Sequence, residues 1–383
     1  MLPQYFFFSG VNCGIKKESP DLGIIFSQLP ANWAGMFTIN KFPAAPVLVS
    51  KEKLGSKIKA LVVNSGIANA GTGEEGIENA RRTCKTLAKH LEIRENEVLV
   101  ASTGVIGKHL PMELIEKGII EAIKKLSPTG YQDFAKAIMT TDKYPKIVAK
   151  EVKTPKGSIN ILGIAKGAGM IHPNLATMLV FLLTDALASS QFLQECLKQA
   201  VDDSFHCLTI DGDTSTNDSV FLIANGASGV EADNTFGEAL RDVCIALARM
   251  IAEDGEGATK LVVIRVNGAE KDEIAREIGR RIAISPLVKT AIFGGDPNVG
   301  RILCALGNAP FSLEPQRVEI KIAGFTVAEK GNILTFPYDK LKKALKEKEI
   351  NIEIELNMGD GSATIYTCDL SYDYVKLNAE YTT

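Results

Sequence analysis

The stretch from Lys166 to Asp185 constrains the fold of this chain more than any other. It reads Lys-Gly-Ala-Gly-Met-Ile-His-Pro-Asn-Leu-Ala-Thr-Met-Leu-Val-Phe-Leu-Leu-Thr-Asp. Its glycines and its proline predict a loop, because glycine widens the accessible backbone conformations and proline prevents a helix from continuing. The apolar run that follows, from Met178 to Leu183, predicts a buried strand. Thr177 therefore stands where a loop enters a strand.

Thr177 follows a small residue, Ala176, in this loop. A threonine in a strained loop has the chemistry to attack the carbonyl before it and become a new amino terminus, which would carry a nucleophile together with its own base. A surface loop before a core strand, with an ordinary β-branched first residue, explains the same spacing. The spacing alone favours the ordinary loop.

The residues of this stretch closely resemble the self-cleavage segment of the glutamate N-acetyltransferase family, also called ornithine acetyltransferase, of arginine biosynthesis. Matching blocks recur from Gly10 to Thr383. The resemblance implies cleavage between Ala176 and Thr177, with Thr177 as the nucleophile. It also implies an α+β enzyme, with mixed sheets that pack with helices, assembled from a segment of residues 1–176 and a segment of residues 177–383.

Length, charge and cysteine usage exclude several classes of protein. The chain has 383 residues, of which 45% are hydrophobic, and a net charge of -3. It lacks the basic excess that is typical of nucleic-acid-binding domains, and no apolar run has the length of a membrane span. Seven scattered cysteines without a Cys-x-x-Cys pair indicate reduced, mostly buried thiols. We expect a cytoplasmic protein without a nucleic-acid or membrane partner.

A glycine-rich run at 71–76, Gly-Thr-Gly-Glu-Glu-Gly, matches a dinucleotide-binding fingerprint in form. The fingerprint should follow its strand directly, whereas seven residues separate it here from the strand predicted at 59–63, so we reject a dehydrogenase. Thr72 and Glu75 have capping-box spacing for a helix that ends near Leu91. The loop instead resembles a block of the same acetyltransferase family. Ile67 and Gly71 depart from that block, which leaves local contacts and acyl-donor preference open.

Helical periodicity predicts four further helices, over residues 112–126, 191–203, 235–254 and 339–348. Short apolar runs between Pro and Gly predict strands and turns over residues 10–49. A short strand is predicted at 97–101.

Thr103 and Gly104 follow that short strand. A hydroxyl beside a glycine amide supplies the two donors that an oxyanion hole needs. An ordinary turn between a strand and a helix explains the same residues. In the family, the matching Thr-Gly pair carries the oxyanion hole, so the resemblance implies that role for Thr103 and Gly104.

The resemblance also implies substrate contacts by residues other than the nucleophile Thr177; these are Thr140, Lys166, Glu256, Asn378 and Thr383. A lysine suits an α-carboxylate, and a glutamate suits the terminal ammonium of ornithine. These residue types usually have other roles: a threonine ends a helix, and a lysine or a glutamate is solvated. The matches near the carboxyl terminus imply a tail that folds back over the active site, whereas chain ends usually fray.

An acidic block at 211–218, Asp-Gly-Asp-Thr-Ser-Thr-Asn-Asp, raises the question of a calcium site. An EF-hand needs glycine at the sixth position and a bidentate glutamate at the twelfth, where this chain has Thr216 and Leu222. The block resembles a family block instead, which implies a structured loop near the active site and no metal.

The resemblance therefore implies an enzyme that transfers an acetyl group from N-acetylornithine to Thr177 and then to glutamate, in a ping-pong cycle without a metal or a cofactor. The resemblance implies a heterotetramer of two alpha and two beta chains. Whether acetyl-CoA is also a donor stays open. Two other functions fit the same residues: a self-processed threonine amidase that passes the acyl group to water, and an uncleaved amino-acid-binding protein in which Thr177 is structural.

Overall fold

The computed structural model describes residues 1–172 and 178–380 and divides them into two units. The first unit holds Met1–Ser204 and Asp213–Leu247, and the second holds Phe205–Gly212 and the chain from Ala248 onward. The boundary predicted between residues 176 and 177 is a cleavage point rather than a domain boundary. The division into two units does not test it, and it stays a prediction.

The first unit contains an eight-stranded mixed sheet. Its strands are β1 (Phe6–Val11), β2 (Leu22–Phe37), β3 (Ile58–Ile67), β4 (Val98–Val105), β5 (Lys146–Thr154), β6 (Gly157–Lys166), β7 (Leu179–Thr184) and β8 (Ser219–Ala224). The order is β4-β3-β2-β8-β7-β6-β5, with β1 paired to β2. The pairs β3·β4 and β7·β8 are parallel and the others are antiparallel.

Alternating side chains of this sheet enter two separate apolar clusters. Along β3, Leu61 and Val63 belong to one cluster, and Ala60 and Val62 belong to the other. Successive residues of a strand point to opposite faces, so β3 is buried on both faces. This explains why such strands read as continuous apolar runs. The run predicted from Met178 is β7, and that prediction is confirmed.

Helices pack against this sheet, which confirms the α+β class. They are α1 (Ala45–Lys51), α2 (Gly73–Leu91), α3 (Met112–Lys124), α4 (Tyr131–Ala137), α5 (Ser190–Asp202) and α6 (Asn234–Glu253), the last of which continues past Leu247. The predictions for α2, α3, α5 and α6 are confirmed. Helix α1 lies in a region predicted as strands and turns, and it begins with a proline in its first turn, a position that tolerates proline.

The capping box predicted from Thr72 and Glu75 is wrong. Thr72 precedes α2, but its side chain accepts no capping hydrogen bond. Its hydroxyl instead donates to Asn69 Oδ1 at 2.9 Å.

The second unit contains a six-stranded sheet in the order β12-β11-β10-β13-β9-β14. Its strands are β9 (Leu261–Ala269), β10 (Glu319–Ile322), β11 (Phe325–Glu329), β12 (Asn332–Ile333), β13 (Glu349–Glu355) and β14 (Gly361–Cys368). Its helices are α7 (Asp272–Ala283), α8 (Pro286–Gly294), α9 (Val299–Gly307), α10 (Tyr338–Ala344) and α11 (Tyr372–Glu380). Helix α10 ends before the predicted residue 348, because the chain turns and enters β13 at Glu349.

All seven cysteines are free and five of them are buried, as the sequence predicts. Across residues 1–172 and 178–380, every helix is too short or too polar to cross a membrane.

Candidate active site

The parallel strands β3 and β4 end side by side in the first unit. Their register pairs Asn64 with Ser102 and Gly66 with Gly104. Ser102 Oγ donates to Asn64 Oδ1 at 2.6 Å, and Asn64 Nδ2 donates to the carbonyl oxygen of Ile67 at 2.8 Å. The first bond ties the carboxyl ends of the two strands together, and the second lies within the end of β3. Ile67, which departs from the family block, takes part through its backbone.

Gly104 occupies a position that only glycine fits. Its φ is +128°, and a Cβ placed on it would lie 2.2 Å from the carbonyl carbon of Gly66. Side chains of L-residues rarely adopt this backbone conformation, and the space is filled by the neighbouring strand. The backbone at Gly104 is therefore fixed by close packing of β3 against β4.

Thr103 and Lys166 meet in the interior of the first unit. Lys166 is the last residue of β6, and its Nζ donates to Thr103 Oγ1 at 3.3 Å. Each residue is only 2% exposed, so the alternative of a solvated lysine is wrong. Because the threonine hydroxyl accepts this bond, its own hydrogen is left to donate to another acceptor. An ammonium and a hydroxyl together favour a negatively charged oxygen beside them.

Asp142 connects the segment of Thr140 to the end of β6. Its Oδ2 accepts from the backbone amide of Thr140 at 3.0 Å, and its Oδ1 accepts from the amide of Gly167 and from Lys146 Nζ, each at 2.7 Å. Burial raises the pKa of this carboxyl, but the charges of Lys166 and Lys146 and the hydrogen bonds from Lys146 and Gly167 outweigh burial and lower the pKa to about 2. The carboxylate is therefore ionised at neutral pH.

Asp142→Asn is expected to lower the free energy of unfolding at neutral pH by on the order of 2 kcal/mol. The folded pKa of about 2 lies below the ordinary value of 3.8, so the stabilisation is complete above the ordinary value and is lost as the pH falls towards the folded value. Urea unfolding at neutral and at acid pH measures the difference between wild type and variant. The difference should shrink in acid, and a constant difference would contradict the assignment.

The acidic block forms a structured loop beside the same strand ends, as the sequence predicts. Asn217 Nδ2 donates to the carbonyl oxygens of Ala68 and Ser102, at 2.7 and 2.9 Å. Asp218 Oδ1 accepts from the backbone amide of Met178 at 3.1 Å. Burial raises the pKa of Asp218 well above its ordinary value, although that hydrogen bond and the charge of Lys166 oppose burial.

The second unit holds two other predicted site residues in contact. Asn378 Nδ2, on α11, donates to Glu256 Oε2 at 2.9 Å. Gly257 has a φ of +68°, and a Cβ placed on it would lie 2.3 Å from the amide nitrogen of Tyr374. The start of α11 therefore packs closely on the turn that carries Glu256.

Some predicted residues lie outside the part of the chain that the structure describes; they are Ala176, Thr177 and Thr383. The residue that follows the predicted nucleophile, Met178, is described and bonded to Asp218. Across the described residues, no group of three or more His, Cys, Asp or Glu side chains could hold a metal ion.

Three polar residues of this region were not individually predicted from the sequence to lie near the candidate site: Asn64, Asn217 and Lys16. Lys16 Nζ donates to the carbonyl oxygens of Pro20 and Met139, and Met139 adjoins Thr140. Its only signal was its place in a block, Gly-Ile-Lys-Lys, that resembles the family. Asn64 had a clearer signal, because it directly follows the apolar run of β3, near the edge where loops meet.

The first unit thus has a mixed sheet with a buried ammonium and a buried hydroxyl at its strand ends. Such an arrangement has the chemistry to stabilise a negatively charged oxygen, as sites of acyl transfer require. The chain belongs to the ArgJ family, whose family model matches residues 7–383.

Full-length relatives are similar over the whole chain. The arginine biosynthesis bifunctional protein ArgJ of Syntrophotalea carbinolica is 48% identical over 99% of this chain and 98% of its own length. The protein of the same name from Thermotoga neapolitana is 47% identical over 100% of both chains.

Two solved structures are similar over a smaller part. The crystal structure of the bifunctional protein ArgJ from Bacillus halodurans is 40% identical, with a TM-score of 0.44, over 45% of this chain and 91% of its own. The ornithine acetyltransferase of Mycobacterium tuberculosis complexed with ornithine is 37% identical, with a TM-score of 0.43, over 45% of this chain and 94% of its own.

Proposed function

We propose that this protein transfers the acetyl group of N2-acetyl-L-ornithine to L-glutamate in the cyclic pathway of arginine biosynthesis. Its membership of the ArgJ family and the names of its relatives support the pathway and the acetyltransferase class. The contact between Lys166 Nζ and Thr103 Oγ1, 3.3 Å apart and buried, carries the proposal most directly. This contact places a cation and a hydroxyl donor beside Gly104. Such groups stabilise the negative charge that develops on the oxygen of an attacked carbonyl.

The nucleophile in this proposal is Thr177, freed by cleavage of the bond after Ala176. Its α-amine, with an ordinary pKa of ~7.7–8.0, accepts the proton of the threonine hydroxyl while the oxygen attacks the acetyl carbonyl. The hydroxyl of Thr103 and the amide of Gly104 then stabilise the oxyanion.

The second half of the cycle completes the transfer. When the tetrahedral intermediate collapses, the bond from carbon to nitrogen breaks, the ammonium of Thr177 returns its proton to the leaving amine, and ornithine departs. An acetyl ester is left on Thr177. The neutral α-amine of glutamate attacks this ester, and the α-amine of Thr177 accepts the proton that the attacking nitrogen loses. The ester C–O bond then breaks, the proton passes to the threonine oxygen, and N-acetylglutamate departs.

The substrate contacts are proposals drawn from the family resemblance. Lys166 holds the α-carboxylate, and Glu256 meets the terminal ammonium of ornithine, while Thr140, Asn378 and Thr383 supply polar contacts. The burial of Lys166 supports its part, because a buried ammonium gains from an anionic ligand.

The assembly and the setting are also proposals. We propose segments of residues 1–176 and 177–383 that stay together, in a heterotetramer of two of each, located in the cytoplasm. The cycle itself uses no cofactor. Replacing N-acetylornithine by acetyl-CoA in the assay decides whether the enzyme has a second acetyl donor.

The test of the function is a time course with N-acetylornithine, with and without glutamate. We expect ornithine and N-acetylglutamate in equal amounts, and parallel lines in double-reciprocal plots as glutamate is varied. Free acetate released at the same rate without glutamate would identify an amidase. A single band on a denaturing gel together with no turnover would identify an uncleaved binding protein.

Glu256→Gln is expected to raise the KM for N-acetylornithine more than it lowers kcat. The reason is that a contact with the distal ammonium would be made equally in the ground state and in the transition state. Glu253→Gln, an exposed carboxylate at the end of α6, is the control. Steady-state kinetics measures both, and an unchanged KM for the Glu256 variant would remove Glu256 from the substrate site.

A further inference from the structure

The carboxylate of Asp142 is a junction between two segments that carry proposed substrate contacts. One oxygen accepts from the amide of Thr140, and the other accepts from the amide of Gly167, the residue after Lys166. Thr140 lies on the segment after α4, and Lys166 lies at the end of β6. A change at Asp142 therefore affects both segments together.

Asp142 is also the anion among three lysines. Its ion pair with Lys146 is 2.7 Å long, and neither side chain has any solvent exposure. The charge of Lys166 acts on the same carboxylate. Asp142 acts in turn on Lys16: burial lowers the pKa of Lys16 to about 8, the charge of Lys166 lowers it as well, and the charges of Asp21 and Asp142 oppose both. Charges interact strongly here because burial reduces the screening by water.

A purely architectural role does not require this charge. Asp142 does not cap α4, whose C-cap is Ile138, so helix termination does not explain it. Accepting from the two backbone amides requires two acceptor oxygens, which a protonated carboxyl also has, and burying a carboxylate is costly unless its charge is used.

Asp185 shows what an architectural acid looks like in the same unit. It is also fully buried, directly after β7. Its oxygens accept from the backbone amide of Asn160 at 2.7 Å, from Asn160 Nδ2 at 3.0 Å and from the amide of Gln4 at 3.3 Å. Within the described residues, the hydrogen bonds to Asp185 thus come from neutral amides rather than from lysines.

We propose that Asp142 is a positioning residue of the acyl-transfer site. It fixes the segments of Thr140 and Lys166 in one arrangement, and its negative charge offsets the repulsion among the ammonium groups of Lys16, Lys146 and Lys166. This inference rests on the proposed function and assigns to that function a residue that does not itself touch the substrate.

The inference predicts a pH dependence of definite sign. A lysine binds a carboxylate only while the lysine is charged. The KM for N-acetylornithine should therefore rise once the pH is high enough to deprotonate the lysine. Removing the charge of Asp142 lowers the pKa values of the neighbouring lysines, and the rise in KM should begin at lower pH. Lys146, Asp21 and Asp218 are the other charged or titratable groups that act on Lys16, Lys166 or Asp142. The proposed base, the α-amine of Thr177, works in its neutral form. Its deprotonation should therefore increase the activity as the pH rises, whereas deprotonation of a lysine should weaken substrate binding.

The test compares Asp142→Asn with the matched control Asp185→Asn. For Asp142→Asn we expect the KM for N-acetylornithine to rise by roughly 10–100-fold, the range typical when the partner that orients a binding group is lost. The alkaline rise in KM should also move to lower pH. Asp185→Asn should change the stability but leave the pH at which KM rises unchanged.

A third variant, Lys146→Gln, is expected to shift the pH dependence of KM in the opposite direction. Removing this cation leaves the charge of Asp142 to act on the other lysines, so the alkaline rise in KM should move to higher pH. If Asp142→Asn does not fold, this shift alone decides the matter. Shifts of opposite sign in the two variants support the positioning role. Unmoved profiles in the folded variants, or equal shifts for Asp142→Asn and Asp185→Asn, would overturn it.

The inference and the proposed function fail in different ways. A wild-type protein that does not transfer acetyl groups refutes the function, and with it the role of Asp142. An active wild type with unmoved profiles refutes the role of Asp142 alone.

Discussion

Thr177→Ala is expected to give one full-length chain without acetyl transfer, whereas the wild-type protein is expected to migrate as two fragments. The variant lacks the hydroxyl that both attacks the bond after Ala176 and receives the acetyl group. Turnover should fall on the order of 10⁶-fold, the loss seen when a covalent nucleophile is removed. A denaturing gel and a product assay measure the two effects.

Thr177→Ser is the control, because serine keeps the hydroxyl and should still cleave and turn over. Amino-terminal sequencing of the second wild-type fragment should begin Thr-Met-Leu, the residues at 177–179. If Thr177→Ala still splits at the same bond, the nucleophile is another group.

Thr103→Ala is expected to lower kcat by about 10²–10³-fold, which is the usual effect of losing one donor of an oxyanion hole. The hydroxyl accepts from Lys166, so its own hydrogen can meet the charge that develops on the attacked oxygen. KM should change much less, since the proposed partner of the substrate carboxylate is Lys166 rather than Thr103. Thr103→Ser should restore most of the rate. An unchanged kcat in the alanine variant would remove Thr103 from the reaction.

Local patterns were enough to predict the longest helices and one of the buried strands. The apolar run after Met178 predicted β7, and helical periodicity predicted α2, α3, α5 and α6. These elements are long or strongly periodic, so the burial of one face or of both faces is visible in the residue types.

The wrong predictions concern short stretches in which the local pattern allows more than one structure. Thr72 and Glu75 have capping-box spacing, but the hydroxyl of Thr72 donates to Asn69, which itself donates to the carbonyl oxygen of Gly76. Helix α1 has only seven residues, too few to show a period, and it has Pro43 just before it and Pro46 in its first turn. In both places the residue types alone did not decide the local structure.

The site was predicted only in part. The sequence indicated Thr103 and Lys166 separately. Lysine side chains are usually exposed to solvent, so the burial of Lys166 was not the commoner expectation. Their contact depends on how β4 and β6 are arranged in one sheet, with four strands between them. Asp142 had no recognisable role in the sequence, because its role comes from Gly167 and Lys146 meeting at one carboxylate.

The central claim is that an acetyl group passes through Thr177, and the most direct test is to look for that group. Wild-type protein is mixed with N-acetylornithine without glutamate, and the reaction is quenched in acid. The protein is then digested, and the masses of the peptides are measured by mass spectrometry. The account predicts one added acetyl group on the peptide that begins at Thr177, and its loss when glutamate is added before the quench. An unmodified Thr177 peptide in protein that is turning over, or an acetyl group on another residue, would contradict it.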